Sequence, residues 1–355
     1  MMSKLGDVAT YVNGFAFKPS DWSDEGLPII RIQDLTGNAY QANRYNGTYN
    51  PKYEVNEGDV LISWSASLGV YVWKGEKAVL NQHIFKVVFD KEEVDKSFFV
   101  HQVQNILENA ASEAHGATMK HLTKPVFDAL PFYLPVIEKQ KVIASVLDSV
   151  SELIAMRKEQ LAKLDQLIKS RFIEMFGDPI TNSKKLPKER MEQRFNLKAG
   201  ITTAADDIHE YEATRYEIPC YGGNGIRGYV EEKSYSGNYP IIGRQGALCG
   251  NVQYATGDFH ATEHAVLVSV LKDDNTIWVY HLLKLMNLYR YHTGAAQPGL
   301  AVKTLNTVNV IVADKALQDE FAVFVGQTEK TKLTIQSSLD KLEILKKFLM
   351  QEYFG

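Results

Sequence analysis

The sequence is short of cysteine, of long apolar runs and of net charge. Its 355 residues include only two cysteines, Cys220 and Cys249, which excludes a disulfide framework as the source of stability. No stretch approaches about 18 uninterrupted apolar residues, so no membrane span is predicted. The first residues, MMSKLGDVATYV, lack the apolar core of a secretory signal, and we expect a cytoplasmic location. A formal net charge of −4 excludes a uniformly basic surface but is compatible with a local basic groove.

Motifs of the common catalytic and cofactor sites are missing as well. The sequence has no Walker A loop, no Asn/Asp-Pro-Pro-Tyr/Phe motif of amino-methylating enzymes, and no H-E-x-x-H spacing among its nine histidines. The cysteines form no CxxC pair, so no zinc site is predicted. No nucleophile–base arrangement is visible either. We therefore expect no catalytic residue, no metal and no cofactor in this chain.

One glycine-rich segment, residues 223–228, matches the G-x-G-x-x-G pattern of dinucleotide-binding sites. That pattern binds a pyrophosphate where it opens a helix, but here Tyr-Val-Glu-Glu-Lys follows, which is typical of a strand or a turn. Asn224-Gly225 is a favoured pair for a tight hairpin. The segment is therefore interpreted as a hairpin rather than a nucleotide site.

Histidine recurs at one matching position of the chain. Gln82-His83 and Glu263-His264 each stand just before a predicted strand. We interpret both as buried histidines that make a structural hydrogen bond, in preference to catalytic groups.

What the sequence does contain is an internal repeat. Residues 161–177 read LAKLDQLIKSRFIEMFG and residues 339–355 read LDKLEILKKFLMQEYFG, at an offset of 178 (355 − 177). The identical pairs are Leu161/Leu339, Lys163/Lys341, Leu164/Leu342, Leu167/Leu345, Lys169/Lys347, Glu174/Glu352, Phe176/Phe354 and Gly177/Gly355. Weaker matches extend back past Gln140 and Gln318. Because solenoid repeats are only roughly 20–50 residues long, this repeat predicts duplicated domains.

Each half of the chain ends in a predicted long helix. Apolar residues recur at steps of three or four and form a seam of the kind that packs in coiled coils. The seam residues are Ile143, Leu147, Val150, Ile154, Leu161 and Leu164 in the first helix, and Phe321, Val325, Ile335, Leu339, Leu342 and Leu345 in the second. Thr328 and Lys332 interrupt the second seam. The other helix is the nearest candidate partner, and a helix pair that only holds two domains together remains an open alternative.

The front part of each half alternates short apolar runs with turn signals, which is typical of a mixed α and β domain. The predicted fold class is α+β, with two similar globular domains separated by two long antiparallel coiled-coil helices and a pseudo-two-fold internal repeat. The predicted segments are a globular domain over 1–137, a helix over 138–177, a linker over 178–190, a second globular domain over 191–315 and a helix over 316–355.

Basic, amide and aromatic residues fall on predicted loops of both globular domains. Arg, Lys, Gln and Asn side chains can bond base edges or phosphates, although any one of them is more often a solvated surface residue. The candidate DNA-contacting residues are Lys18, Trp22, Arg31, Gln33, Arg44, Lys120, His121 and Lys124 in the first domain, and Tyr221, Asn224, Arg227, Arg244, Gln245, Arg290, Gln297 and Lys303 in the second.

Several stretches together resemble one known family. They are GFAFKPSDW…GLPIIRIQDL (14–35), EGDVLISWSASLGVYVW…LNQHIFKV (57–87), GATMKHLTKPVFDALPFYLPVIEKQKVIASVLD (116–148), YGGNGIRGY (221–229), IIGRQGALCGNV (241–252) and TEHAVLV (262–268). With these stretches the chain resembles the specificity (S) subunits of type I restriction–modification systems. The resemblance covers essentially the whole chain. One departure is Ala313, which stands where the first half has Pro135.

This resemblance implies a non-catalytic, DNA-binding function. Two target recognition domains each read one half of a split double-stranded DNA site. The helices set the spacing and dock two methyltransferase (M) subunits, which supply S-adenosylmethionine binding and adenine methylation. Restriction/translocase (R) subunits can join such a complex. Two other hypotheses stay open, namely a stand-alone or fused DNA methyltransferase and a coiled-coil adaptor that does not bind DNA.

Overall fold

The computed structural model describes residues 2–37, 43–65, 67–113, 123–294 and 298–355 of the chain. The chain divides into two units. The first unit comprises Met1–Arg157 together with Ser338–Gly355, and the second unit comprises Lys158–Ser337. The last residues of the chain therefore belong to the same unit as its beginning.

The first half of the chain contains ten short strands and the first five helices of the described residues. The strands are β1 (Met2–Lys4), β2 (Thr10–Asn13), β3 (Leu27–Ile30), β4 (Arg44–Tyr45), β5 (Glu54–Val55), β6 (Val60–Ser63), β7 (Gly69–Val72), β8 (Ala78–Leu80), β9 (Ile84–Val88) and β10 (Pro131–Tyr133). The helices are α1 (Leu5–Val8), α2 (Ile32–Leu35), α3 (Lys96–Glu113), α4 (Lys124–Asp128) and α5 (Ile137–Phe176).

The second half repeats this order of elements with small changes. Its strands are β11 (Lys188–Arg190), β12 (Phe195–Ala199), β13 (Ile218–Gly222), β14 (Gly225–Val230), β15 (Tyr235–Ser236), β16 (Tyr239–Gly243), β17 (Val252–Ala255), β18 (Asp258–Ala261), β19 (Ala265–Val270) and β20 (Asn309–Ile311). Its helices are α6 (Met191–Arg194), α7 (Thr276–Leu285), α8 (Val302–Asn306) and α9 (Lys315–Phe354). Strand β11 lies within the stretch 178–190 that the sequence predicts as a linker.

The sheets of the two units match strand for strand. In the first unit they have the orders β2-β9-β6-β7, β4-β3-β8-β5 and β1-β10. In the second unit they have the orders β12-β19-β16-β17, β14-β13-β18-β15 and β11-β20. In both units one pair is parallel, β3 with β8 and β13 with β18, while the other named pairs are antiparallel. The internal repeat is thus a repeat of topology as well as of sequence.

One apolar core joins the sheet and the helices of the first unit. Phe98 and Phe99 on α3 are fully buried in the same apolar cluster as residues of β6 and β9, and both rings pack against that of Phe132 on β10. Helix α5 adds Ile143 to this core, and the last turns of α9 add Met350. Phe354 of α9 also places its ring 5.5 Å from that of Phe98. Because burial of each such side chain stabilises a fold by about 1.5–3 kcal/mol, the end of the chain is tied to the first unit.

The long helices run antiparallel within the second unit. Arg171 of α5 bonds Glu320 of α9 at 2.9 Å. Further towards the end of α9, Lys332 bonds Asp165 of α5 at 2.7 Å. Residue numbers therefore rise along α5 as they fall along the facing helix. In the first unit the beginning of α5 and the end of α9 share a core, which is the same sense of pairing. The predicted α+β fold class with two long antiparallel helices is confirmed.

Most of the predicted seam residues face the interior. Ile143, Leu147, Val150, Phe321, Val325 and Leu339 are buried, and Ile154, Leu161, Leu164, Ile335 and Leu342 are half-buried. Leu345 is exposed, so its placement in the seam is wrong. From Leu342 the inner face of α9 continues four residues on, at half-buried Lys346, and not three residues on, at Leu345. Because a helix has about 3.6 residues per turn, its inner face needs steps of four as well as steps of three.

Helix α5 ends where the sequence places its stop. Gly177 adopts a left-handed φ of +78°, and its N–H donates to Ile173 O at 2.8 Å. A glycine in this conformation closes a helix without the steric penalty that a Cβ would meet. Among the described residues, no helix combines the length and the apolar character needed to cross a membrane.

Candidate nucleic-acid interface

Aromatic and basic side chains meet beside the paired strands β3 and β4 of the first unit. The guanidinium carbon of Arg31 lies 5.3 Å from the centre of the Trp22 ring, within the range of a cation–π contact. Arg44 donates to the Gly26 carbonyl at 2.7 Å and to the Glu76 carboxylate at 2.8 Å. Three of the predicted DNA-contacting residues, Trp22, Arg31 and Arg44, are therefore grouped around strands β3 and β4.

Arg31 is held in place by Asn43, and its Nε lacks a hydrogen-bond partner within the described residues. With the Asn43 amide oriented by its hydrogen bonds, its oxygen accepts from both terminal nitrogens of Arg31, at 3.0 and 3.2 Å. The buried Nε of Arg31 has no hydrogen-bond partner within the described residues. The Arg31 N–H donates to Asp34 at 2.8 Å, and burial raises the pKa of that carboxyl group against this hydrogen bond. The guanidinium is therefore held in a fixed position next to the Trp22 ring.

The other candidates of the first unit are less closely grouped. Lys124 on α4 pairs with Asp128 at 2.6 Å and lies 5.8 Å from the Tyr11 ring centre, so its charge is partly neutralised. Lys18 is exposed and Gln33 on α2 is half-buried. The predicted contacts Lys120 and His121 lie outside the described residues.

In the second unit four loops pack together into what we call the Gly-rich loop cluster. Within the described residues it comprises 223–225, 243–251, 262–264, 293–294 and 298–299. The Asn224 side-chain oxygen accepts from Asn251 at 2.6 Å. Gln245 pairs with Gly299 in a backbone bridge, and the Arg244 carbonyl accepts from Leu300. The structure thus brings together Asn224, Arg244 and Gln245, as expected of a common surface.

Close backbone contact explains the glycines of this cluster. A Cβ on Gly243 would lie 1.9 Å from the carbonyl oxygen of Gly223, so only glycine fits there. Gly222 pairs with Gly225 across a two-residue turn, and Gly225 has a φ of +101°. Residues 223–228 therefore form the turn and part of the second strand of a hairpin, and the predicted hairpin is confirmed.

The remaining candidates of the second unit lie on separate elements. Arg227 is exposed on β14, and Lys303 is exposed on α8. Arg290 is exposed with its guanidinium 5.0 Å from the neighbouring Tyr291 ring centre. Tyr221 is half-buried and its ring packs 5.6 Å from that of Phe259, so it is chiefly a core residue. Gln297 lies outside the described residues.

A turn that follows β8 and β18 is held by several of the same hydrogen bonds in the two units. Four main-chain hydrogen bonds recur. In the first unit they run from the N–H to the carbonyl oxygen of Gly14 to Ile84, Phe15 to Leu80, Asn81 to Ile30 and Trp64 to His83. In the second unit, in the same order, they are Gly200 to Ala265, Ile201 to Ala261, Thr262 to Tyr221 and Arg244 to His264. The turns 81–83 and 262–264 are therefore structurally equivalent. We call them the repeated turns.

Both repeated turns carry buried polar atoms without a partner in the described part of the chain. In the first unit these atoms are Asn81 Oδ1 and His83 Nδ1. In the second unit they are Thr262 Oγ1, Glu263 Oε2 and His264 Nδ1, together with the neighbouring Arg244 Nε. The predicted structural hydrogen bond of the two histidines is thus wrong for Nδ1, because their main-chain carbonyls make the structural contacts. Because an unpaired buried polar atom is costly, these groups call for a further hydrogen-bond partner, such as water or a bound molecule.

Sequence reasoning also missed an aromatic group in the loop before β13. Tyr211 is 73% exposed, and the rings of His209 and Tyr216 stack with their centres 3.5 Å apart. The only signal in the sequence is the density of aromatic and charged residues in HEYEATRY (209–216). No cluster of three or more His, Cys, Asp or Glu side chains that could hold a metal occurs among the residues that the structure describes.

Comparison with known families gives a match in the first half of the chain. Residues 1–166 match the family model described as Type I restriction modification DNA specificity domain. This stretch takes in the strands and short helices of the first unit and most of α5.

Comparison with curated proteins gives the same family. The chain is similar to the Type I restriction enzyme EcoprrI specificity subunit of Escherichia coli, with 40% identity over 218 residues that make up 58% of this chain and 49% of that protein. It is also similar to the Type I restriction enzyme EcoBI specificity subunit of Escherichia coli, with 30% identity over 46% of this chain and 35% of that protein. The matches thus span about half or less of the length of these relatives.

Solved structures share the fold over the whole chain. A crystal structure of the S subunit of a type I restriction–modification system from M. genitalium has a TM-score of 0.63 at 15% identity, covering 100% of this chain and 96% of that one. A chain from a study of assembly and conformational transition of the type I R-M system has a TM-score of 0.56 at 13% identity. The resemblance seen in the sequence is confirmed. The chain is similar to the specificity subunits of type I restriction–modification systems, and residues 1–166 match the model of their DNA specificity domain.

Proposed function

We propose that this chain is the non-catalytic DNA-specificity subunit of a type I restriction–modification complex. Each unit reads one half of a bipartite double-stranded DNA site. The observation that carries the proposal is the strand-for-strand repeat of the two units, combined with different side chains on their equivalent loops. A common scaffold with different loops suits two readers of two different half-sites, because direct readout depends on the donors and acceptors that each loop presents.

The proposal extends to the two long helices, which dock two methyltransferase subunits and set the distance between half-sites. Leu167 on α5 is 46% exposed, and Leu345, its equivalent at the offset of 178, is 42% exposed on α9. On α9 the exposed Ile344 and Phe348 enlarge this apolar surface. An exposed leucine at the same repeat position in both helices supports two copies of one docking site, since exposed apolar groups of this kind mark protein interfaces.

In this proposal the chemistry belongs to the partners. The methyltransferase subunits bind S-adenosylmethionine and methylate adenine, and restriction/translocase subunits join the complex for cleavage. This chain supplies positioned donors on its loops, such as Arg31 beside Trp22 and the residues of the Gly-rich loop cluster. With a net charge of −4, the chain holds DNA by local contacts and together with its partners.

Co-expression with a cognate methyltransferase subunit, followed by mapping of methylated adenines in the host DNA, tests the proposal. We expect a split motif with two specified halves and a fixed unspecified spacer. A continuous motif, or methylation that does not depend on this chain, contradicts the proposal. An S-adenosylmethionine binding assay on the purified chain separates the specificity subunit from a methyltransferase, since only the latter binds the cofactor by itself.

A further inference from the structure

The repeated turns place two different side chains at one equivalent position. Gln82 in the first unit and Glu263 in the second each follow the residue that bonds the end of the parallel neighbour strand. Gly14 and Gly200 press against these turns so closely that a Cβ would lie 2.0 and 2.2 Å from a carbonyl oxygen of residues 81 and 261. These contacts recur in both units, although His83 has a left-handed φ of +73° and the equivalent His264 is not in this region. At the position before each histidine the two turns also differ in side-chain chemistry.

That difference concerns hydrogen-bond donors. A glutamine amide both donates and accepts, whereas an ionised glutamate only accepts. Oxygen Oε1 of Glu263 lies 3.4 Å from Nε2 of His264, while Oε2 is buried and lacks a partner within the described residues. Arg244 is joined to this turn through its N–H and keeps an unpaired Nε there. At this turn of the second unit, a carboxylate oxygen and a guanidinium nitrogen therefore each lack a partner within the described residues.

The hydrogen-bond donors and the charges of a DNA duplex determine which of its groups such a carboxylate can contact. Phosphate oxygens repel it, so the favourable partner for it on a DNA duplex is a hydrogen-bond donor on a base edge. Glutamate accepts from the N4 amino group of cytosine, and glutamine bonds adenine at N6 and N7 in a bidentate manner. The two side chains at the equivalent position thus differ in the base that each one matches.

We propose that Gln82 and Glu263 are equivalent base-reading residues of the two units, Gln82 matching adenine and Glu263 matching cytosine. The repeated turns are the scaffold that holds them, and Arg244 beside Glu263 supplies a donor to the neighbouring acceptor. This inference rests on the proposed DNA-reading function and adds to it one named position in each half-site.

Exchange of the two side chains tests the inference in the methyltransferase complex. Glu263→Gln and Gln82→Glu nearly preserve side-chain volume, and both complexes are assayed by sequencing of methylated sites selected from a randomised DNA library. We expect Glu263→Gln to change the preference at one position of one half-site by about tenfold or more, from cytosine towards adenine, with the other half-site unchanged. Gln82→Glu is expected to do the reverse in the other half-site.

Glu232→Gln is the matched control. Glu232 is an exposed residue of the second unit, and it follows the end of β14 that lies away from the hairpin turn. This variant should leave both half-sites unchanged, and the melting temperature of each variant is recorded. If Glu263→Gln lowers methylation equally for all sequences and does not change the base preference, the inference is overturned. Glu263 is then a residue that only orients Arg244. If the wild-type complex shows no split motif, the proposed function itself fails, and the inference fails with it.

Discussion

At the scale of single residues, the two units fill equivalent core positions with different side chains, an ion pair in one unit and apolar residues in the other. Arg194 at the end of α6 forms a buried ion pair with Asp274, and its Nε lies 3.0 Å from Asp274 Oδ2. Val8 at the end of α1 and Val94 hold the corresponding places in the core of the first unit. Buried ion pairs and apolar pairs of similar size can be close in free energy, so both are compatible with one fold.

The pH dependence of stability is predicted to have a contribution from His281 on α7. Burial, reinforced by Lys284 and Lys332 and opposed by Asp165, lowers the pKa of His281 to about 3. The unfolded chain binds the proton near pH 6.5, so the stability that this residue contributes is full above that value. It is lost as the pH falls from about 6.5 towards 3, by at most about 1.4 kcal/mol per pH unit. Urea unfolding at about pH 7 and pH 5 measures the loss.

The His281→Gln variant is the control for this pH effect. Glutamine does not titrate, so its free energy of unfolding should change less between the two pH values than that of the wild type. Equal changes in both proteins show that His281 is not the cause.

At the scale of elements, each long helix is joined to its unit by a buried glutamine near its start. Gln140 Oε1 accepts from Asp95 N–H at 2.9 Å, and its amide donates to Pro135 O at 2.8 Å. Gln318 repeats the pattern with the N–H of Asn275 and the carbonyl of Ala313. The replacement of Pro135 by Ala313 therefore leaves this joint intact, because it uses only the main-chain carbonyl.

Loss of one of these joints is predicted to destabilise the second unit. In Gln318→Leu the Asn275 N–H, the Ala313 carbonyl and the Asp274 carboxylate each lose a hydrogen bond. Because each unsatisfied buried group costs about 1–3 kcal/mol, we expect the free energy of unfolding to fall by at least about 2 kcal/mol in urea titrations. Gln327→Leu, on the exposed side of α9, should have little effect. Similar losses in the two variants would falsify the joint.

The interruption of the second seam has a physical explanation at this scale. Thr328 is buried and its hydroxyl donates to Phe324 O at 2.9 Å, one turn earlier. Lys332 bonds Asp165 at 2.7 Å and Glu329 at 2.9 Å. Polar contacts thus replace apolar ones where the sequence pattern weakens, and the helix continues without a break.

At the scale of the whole molecule, the duplicated helices carry a prediction about partners. Leu167→Glu and Leu345→Glu each place a charge on one of the two equivalent exposed positions. Because a charge in an apolar interface is costly to desolvate, we expect each single variant to bind one methyltransferase subunit and the double variant to bind none. Mass photometry of the purified complexes measures the stoichiometry. A double variant that still binds two subunits excludes these leucines from the interface.

DNA binding by the isolated chain is predicted to be weak and strongly dependent on salt. Phosphate contacts by a few local cations give a slope of log K against log salt of about −0.9 per phosphate neutralised. Adding the methyltransferase subunits should tighten binding to the same duplex. Fluorescence anisotropy over a series of salt concentrations measures both effects, and equal affinity with and without partners speaks against a shared DNA clamp.

Much of the fold could be predicted from the sequence, whereas less of the candidate site could. Strand runs such as VLIS (60–63) and YPIIG (239–243) and the long helix that stops at Gly177 are determined locally, by β-branched residues, helical periodicity and a glycine stop. The hairpin at Asn224-Gly225 is local as well. Sites are assembled from distant segments, so the grouping of Asn224, Arg244 and Gln245 needed the folded chain.

By itself, the sequence determined that the molecule is built from a repeated unit and that each half ends in a long helix, because these are properties of adjacent residues and of a fixed offset. The tertiary structure decided the rest. It assigned Ser338–Gly355 to the first unit, because the last turns of α9 find their apolar partners there. It exposed Leu345 and not Lys346, and it aligned Gln82 with Glu263, because packing and hydrogen bonding act between residues that are far apart in the chain.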